Sequence, residues 1–301
     1  MSLVLYGHLF SSYTQKVLIA LYENGTPFES RLIGPDTPQH SAEWLKRWPL
    51  RKFPLLVDGE RNIAETSIII EYLQLVHPGP ARLLPAEPMA ALDVRFLDRF
   101  FDLHVMSSMQ HAVDGALTGD PAKRRDGMEF AVKKLDLAYA WLEGHLTGKT
   151  WAAGADFTLA DCAAAPSLFY ADWTHPIPEK FPVLRAYRAR LLARPSFARA
   201  VEEARQYRPY FPLGAPDRDG PPKKNLSPDQ GERLSIVLLD RRRSGVSHRS
   251  QDARPRSGRG RRSARALSLH PDTDGYTQWP RTRPSGSRQP DPRSPGCAAS
   301  H

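Results

Sequence analysis

Residues 77 to 88, HPGPARLLPAEP, place four prolines in twelve positions, and the hydrophobic pattern obeys different periods on their two sides. Proline fixes φ and removes a backbone donor, so neither a helix nor an inner strand runs through such a segment. It reads as a linker, and the chain must be built in two parts. Before it, strands and helices alternate. LVLY (3–6) is a buried strand, and Ser11 or Ser12 caps a helix whose apolar positions Val17, Leu18, Leu21 and Tyr22 recur at helical spacing until Gly25 closes it. PFESRLI (27–33) alternates as a strand, and a short helix covers Ala42 to Arg47. FPLLVDGERNIAE (53–65) holds two short strands around Asp58-Gly59, and TSIIIEYLQLV (66–76) is a helix. The order is β-α-β-α-β-β-α. From Met89 to about Arg205 the pattern is helical and shows no strand, with helices expected over 89–117, 122–146, 158–172, 183–193 and 195–206. The fold class is thus α/β followed by all-α, with domains at 1–76 and 89–214, a linker at 77–88 and a basic tail at 215–301.

The net charge of +9 belongs to that tail. Residues 221–301 hold 17 Lys or Arg against 7 Asp or Glu, whereas the first 220 residues hold 25 against 26. A basic excess ordinarily suggests a nucleic-acid partner. Here it lies in a segment with two aromatics, Tyr276 and Trp279, too poor in apolar surface to offset chain entropy, so disorder is expected and nucleic-acid binding is not. Its unrepeated mixture of Arg, Ser and Pro also resembles translation in a shifted frame. Cys162 and Cys297 form no CxxC, which fits a reducing cytoplasm. The N-terminus lacks a basic n-region and nowhere do about 18 apolar residues run together, so a cytoplasmic protein without a membrane segment is expected. No metal-ligand cluster, P-loop or Rossmann glycine pattern occurs.

Four motifs follow one another in the body: SSYTQKV (11–17), KFPLLVDG (52–59), ETSIIIEYL (65–73) and FTLADCAAAPSL (157–168). In this order they resemble the cytosolic glutathione transferase family, the Ser-type members such as zeta and theta above all. The resemblance covers residues 1 to about 214. It implies an N-terminal thioredoxin-like domain before a helical bundle domain, glutathione as co-substrate without a metal, and a homodimer.

A thiol with pKa near 8.5 holds little of the nucleophilic thiolate at neutral pH. A hydrogen bond to sulfur and a helix N-terminus both favour the anion. Ser11 stands at such a terminus. By itself it is an ordinary N-cap; the resemblance makes it the candidate thiolate donor, with Ser12 and Tyr6 as rivals. The resemblance further implies that Pro54 is cis, and that the Phe53 backbone pairs with the cysteinyl part of glutathione. Glu65 would face the γ-glutamyl ammonium and Thr66 its carboxylate. Lys52, with Gln39 or His40, would meet the glycyl carboxylate. Phe10, Phe101 and Met106 would wall the electrophile pocket, although an aromatic and Met stripe is also what a core looks like. Two departures stand out: the family's NPxGKVP appears as WPLRKFP, with Arg51 at the glycine position, and Thr66 replaces serine. Thr158 and Asp161 read as a capping box, and Cys162 as a buried apolar residue. The expected activity is a glutathione transferase acting on a small hydrophobic electrophile. Isomerase, dehalogenase and peroxidase activities share that site, and a noncatalytic binding module is the reading from another class.

Overall fold

Leu5 and Tyr6 are adjacent, yet they enter different cores, because successive side chains of a strand point to opposite faces. They lie in β1 (Leu3–Gly7), which pairs in parallel with β2 (Phe28–Leu32) and antiparallel with β3 (Leu55–Asp58); β4 (Arg61–Ile63) adds antiparallel to β3. The sheet order is β2-β1-β3-β4. The Leu5 face is covered by α1 (Ser12–Glu23) and α3 (Thr66–Val76), through Val17, Leu18, Leu21, Ile69, Ile70 and Leu73. The opposite face holds a smaller cluster, Tyr6, Ile33, Trp44, Leu55 and Val57, closed by α2 (Pro38–Arg47). The computed structural model describes residues 3–216 and residue 219, all within one compact unit. The expectations for the rest of the tail and for Cys297 lie outside the described residues.

α2 begins four residues before the expected start, with Pro38 in its first turn, where the missing N–H costs nothing. The polar run Pro38–Ser41 gives no apolar period to announce it.

Beyond the prolines come α4 (Pro88–Phe100), α5 (Ser107–Leu117), α6 (Pro121–His145), α7 (Leu159–Thr174), α8 (Pro182–Ala193) and α9 (Pro195–Ala204), then a 3-10 segment, Arg205–Tyr210. The expected single helix over 89–117 is divided by a wide π-helical turn, Phe101–Met106. Carbonyls loosened there are met by hydroxyls one turn on: Ser107 Oγ donates to Asp102 O at 2.9 Å and Ser108 Oγ to His104 O at 2.8 Å. α5 and α6 pack closely because two contact positions are glycine. A Cβ on Gly127 would sit 2.5 Å from the His111 carbonyl oxygen, and one on Gly115 would sit 2.4 Å from that of Lys123.

α7 is the axis of the helical half, buried from Leu159 to Trp173. Its start is organised by Asp161, which is fully buried. One carboxylate oxygen accepts from the Thr158 N–H (2.8 Å) and hydroxyl (3.1 Å), the other from the Ala152 N–H (2.8 Å) and the Tyr187 hydroxyl (2.6 Å). The expected capping box is present, and it also ties two further segments to α7.

Between the two halves lies a buried ionic cluster. Lys16 on α1 is 1 % exposed, with its ammonium 2.6 Å from Asp98, 2.9 Å from Asp102 and 3.1 Å from Ser67. Ser67 in turn donates to Asp98 at 2.6 Å. Burial holds the Asp102 carboxyl above its usual range, and the Lys16 charge opposes that. Nearby, Arg194 grips Glu23 with two hydrogen bonds of 2.8 and 2.7 Å. Among the described residues no helix is long and apolar enough to cross a membrane.

Candidate functional site

Strand register decides which candidates meet. Gly7 pairs with Leu32 and Tyr6 with Leu55, so the end of β2, the start of β3 and the loop after β1 share one edge of the sheet. Leu56 pairs with Ile63, which brings the turn into α3 to the same edge. Ser11, Phe53, Pro54, Glu65 and Thr66 therefore come from three chain segments that converge at one end of the sheet. Gln39, exposed in the first turn of α2, follows β2 from that end. Exposed Lys52 is tied to α2 by Trp44 Nε1, which donates to its carbonyl at 3.2 Å. His40 is otherwise engaged, its Nδ1 lying 3.2 Å from the Leu32 carbonyl.

Ser11 is the N-cap of α1, with extended φ and ψ of −78° and 125°. Its Oγ accepts from the Thr14 N–H at 3.3 Å. A hydroxyl has one proton and two lone pairs, and no hydrogen bond from that proton forms among the described residues. Ser12 is the first residue of the helix itself. Tyr6 is differently placed: its hydroxyl donates to Glu43 (2.9 Å) and accepts from Arg31 (2.7 Å) on the α2 face. Burial and the Glu43 bond raise its pKa.

The Phe53–Pro54 bond is cis, as the resemblance implied. Arg51 adopts φ 57° at the glycine position of the family pattern, so the left-handed turn is kept without glycine. Glu65 stands at φ 66° and ψ 118°, a sparsely populated conformation, exposed at the head of α3; Thr66 behind it is buried.

The electrophile-wall candidates divide. Phe10 is half-buried, edge-on to Tyr170 (centroids 5.4 Å) and 6.4 Å from Trp173. Phe101 and Met106 are 0 % and 1 % exposed within the main core, so they pack rather than present a wall, a correction to the sequence expectation. The wide turn that carries them faces inward toward α7. None of the candidates lines the cavity of about 510 Å³ between the end of α7 and α8, which is bounded by Asp172, Ile177, Glu179, Arg185 and Arg188 among others.

Sequence reasoning passed over His8, Gln15, Tyr170 and Tyr207. His8 is buried, its Nδ1 accepts from the Phe10 N–H at 3.2 Å, and its ring stands edge-on to Tyr207 at 4.5 Å. Burial pushes its pKa down to about 4, so the ring is neutral at physiological pH with its proton on Nε2. Their positions offer no local signal, because each acts across a turn or across the two halves.

A family description of the glutathione S-transferase N-terminal domain matches residues 5–81, and one of the glutathione S-transferase C-terminal domain matches residues 104–195. The chain belongs to the glutathione S-transferase family. A probable maleylacetoacetate isomerase of Vibrio cholerae serotype O1 is 30 % identical over 213 residues, covering 67 % of this chain and 97 % of the relative. Among solved structures, a glutathione transferase homolog of Drosophila mojavensis with bound glutathione superposes with a TM-score of 0.59 at 26 % identity, over 68 % of this chain and 94 % of that one. A glutathione S-transferase of Methylobacterium radiotolerans complexed with glutathione sulfonate gives 0.58 at 27 % identity, over 75 % and 98 %. The four-stranded sheet followed by a helical half is therefore the family's architecture, a thioredoxin-like domain and a helical bundle.

Proposed function

We propose that the protein is a glutathione transferase that steadies the glutathione thiolate with Ser11 and directs it at a small hydrophobic electrophile. The observation that carries this reading is the state of the Ser11 hydroxyl: its oxygen is fixed by the Thr14 N–H while its proton points to no protein acceptor among the described residues. A donor held at a helix N-terminus stabilises an anion twice, by its own hydrogen bond and by the helix dipole. Tyr6 is a poor rival because its hydroxyl already serves Glu43 and Arg31.

In this reading the Phe53 N–H and C=O, turned by cis Pro54, form a short antiparallel ladder with the cysteinyl residue of glutathione. Glu65 faces the γ-glutamyl ammonium, and the Thr66 hydroxyl with the first N–H groups of α3 receives its carboxylate. Lys52 and Gln39 supply charge and amide to the glycyl carboxylate. Phe10 offers an apolar surface beside Ser11 where an electrophile gathers, so that attack proceeds between bound partners.

The same reading includes a homodimer. Met89, Leu92, Phe96 and Leu103 are each more than half exposed, and they follow one another along α4 and the wide turn; such an apolar stripe marks an interface.

Ser11→Ala is the direct test, with the thiolate absorbance of bound glutathione followed against pH. The thiol pKa should rise by about one unit, and turnover of an aromatic halide should fall roughly 10- to 100-fold. An unchanged thiol pKa, with loss in Tyr6→Phe instead, would reverse the assignment. A panel that includes a maleylacetoacetate-type cis olefin, after the Vibrio relative, separates transfer from isomerisation; glutathione binding without turnover on any member would favour a noncatalytic module.

A further inference from the structure

The peptide groups from His8 to Ser11 can be accounted for nearly one by one. The Ser11 N–H donates to the His8 carbonyl (2.9 Å) and the Phe10 N–H to His8 Nδ1 (3.2 Å). The Ser11 carbonyl accepts from the Gln15 N–H at 2.9 Å, the first bond of α1. The two remaining carbonyls, of Leu9 and Phe10, end on side chains. Gln15 Nε2 donates to Leu9 O at 3.0 Å and to the Tyr170 hydroxyl at 3.2 Å, and that hydroxyl donates to Phe10 O at 2.9 Å.

Both side chains are buried, and the hydrogens run in one direction, amide to hydroxyl to carbonyl, so that each bond polarises the next. Gln15 leaves its own Oε1 without a partner in this arrangement. Turning the amide over would set that oxygen against the Leu9 carbonyl, acceptor on acceptor, so the donor side is held toward the loop. The Tyr170 ring is locked as well, edge-on to Phe10 and Phe169 and stacked on Phe211.

We infer that Tyr170 and Gln15 are positioning residues for Ser11: Tyr170 on α7 of the helical half holds the Phe10 carbonyl, and Gln15 on α1, itself bonded to Tyr170, holds the Leu9 carbonyl, so that the pair fixes the direction in which the Ser11 hydroxyl donates. The inference rests on the reading of Ser11 as thiolate donor. It makes the helical half part of the thiolate machinery as well as the wall of the electrophile site. A loop released at Leu9 and Phe10 keeps its helix cap, because the Thr14 N–H is unaffected, but loses the fixed orientation on which a short charge-assisted bond depends.

Tyr170→Phe removes only the hydroxyl and keeps the aromatic packing. In an otherwise unaltered chain it should raise the thiol pKa of bound glutathione by roughly half a unit to one unit and lower kcat about three- to tenfold, while the Kd for glutathione stays within about twofold. In a Ser11→Ala background it should give no further shift. Gln15→Met deletes the donor to both Leu9 and Tyr170 without touching the rings; it should shift the thiol in the same direction, and it serves as the test if Tyr170→Phe does not fold. A thiol pKa unmoved by Tyr170→Phe or Gln15→Met while Ser11→Ala raises it would overturn the inference and leave the proposed function standing. So would an equal shift in both backgrounds. A thiol pKa unmoved by Ser11→Ala would remove the proposed function, and the inference with it.

Discussion

His8 is three residues before the proposed thiolate donor, and its burial has a measurable consequence. Burial pushes its pKa down from 6.5 to about 4, because the interior disfavours the imidazolium. Between those values the unfolded chain binds a proton that the folded chain refuses, so stability rises with pH across the window. That stability is fully present above 6.5 and is lost as pH falls toward about 4. His8→Asn keeps an acceptor for the Phe10 N–H and does not titrate. Denaturant unfolding at about pH 7 and about pH 4.5 should show an acid loss smaller by about 2 kcal/mol in the variant. At this scale the sequence was readable where the signal is local. Ser11 before a helical period, Pro54 within KFPLLVDG and Glu65-Thr66 at the head of a helix each carry their meaning in a few neighbours. Tyr170 carries none: it reads as one more apolar position of α7, and its partners Gln15 and Phe10 are 155 and 160 residues away. Phe101 and Met106 misled for the same reason, since a stripe at helical spacing says that a face is apolar and does not say what covers it.

Among the elements, α7 depends most on one side chain. Replacing Asp161 with alanine would leave the Ala152 and Thr158 N–H groups and the Thr158 and Tyr187 hydroxyls buried without their acceptor. Each such group costs on the order of 1–3 kcal/mol. The expected loss exceeds about 3 kcal/mol by thermal or denaturant unfolding, and the fraction that remains folded should retain its turnover; normal stability with lost activity would contradict a structural role. Asp161 was legible as a capping box because Thr158 and the carboxylate are three positions apart. Its second oxygen was not, because Ala152 and Tyr187 belong to other segments. The division of the helix over 89–117 was also hidden. A π-turn inserts one residue without changing residue type, and the serines that accommodate it, Ser107 and Ser108, look like ordinary helical polar positions.

For the molecule as a whole, the two halves meet over charge as well as apolar surface. Lys16 on α1 neutralises Asp98 and Asp102 from the helical half at a site closed to water. Lys16→Met would leave the buried Asp98 carboxylate with only the Ser67 hydroxyl and Asp102 with only the more distant Arg99, 3.6 Å away, and removing one partner of such a cluster typically costs about 3–5 kcal/mol. Asp98→Asn added to Lys16→Met should recover part of that loss in urea unfolding; no recovery would mean that the damage is packing alone. On the outer face, Phe96→Asp puts a charge into the exposed stripe of α4. If the proposed homodimer uses this stripe, light scattering should then report half the parent mass with the folded spectrum intact, whereas an unchanged mass would remove the stripe as its interface. The two-part architecture was legible because the prolines between residues 77 and 88 separate two hydrophobic periods. How the parts join was not, since Lys16, Asp98 and Asp102 are each unremarkable charged positions until the fold brings them together.

The edge-on contact of Tyr207 with His8 sets a timetable. His8 leaves the ribosome early, and the ring that covers it is made nearly two hundred residues later, which at about 5–20 residues per second is on the order of 10–40 seconds. For most of that interval the chain holds the residues of its sheet and of the Ser11 cap but not Tyr170, and throughout it lacks Tyr207 to cover His8. The residues of the proposed glutathione-binding edge are therefore made well before the two tyrosines, Tyr170 and Tyr207, that pack against its loop.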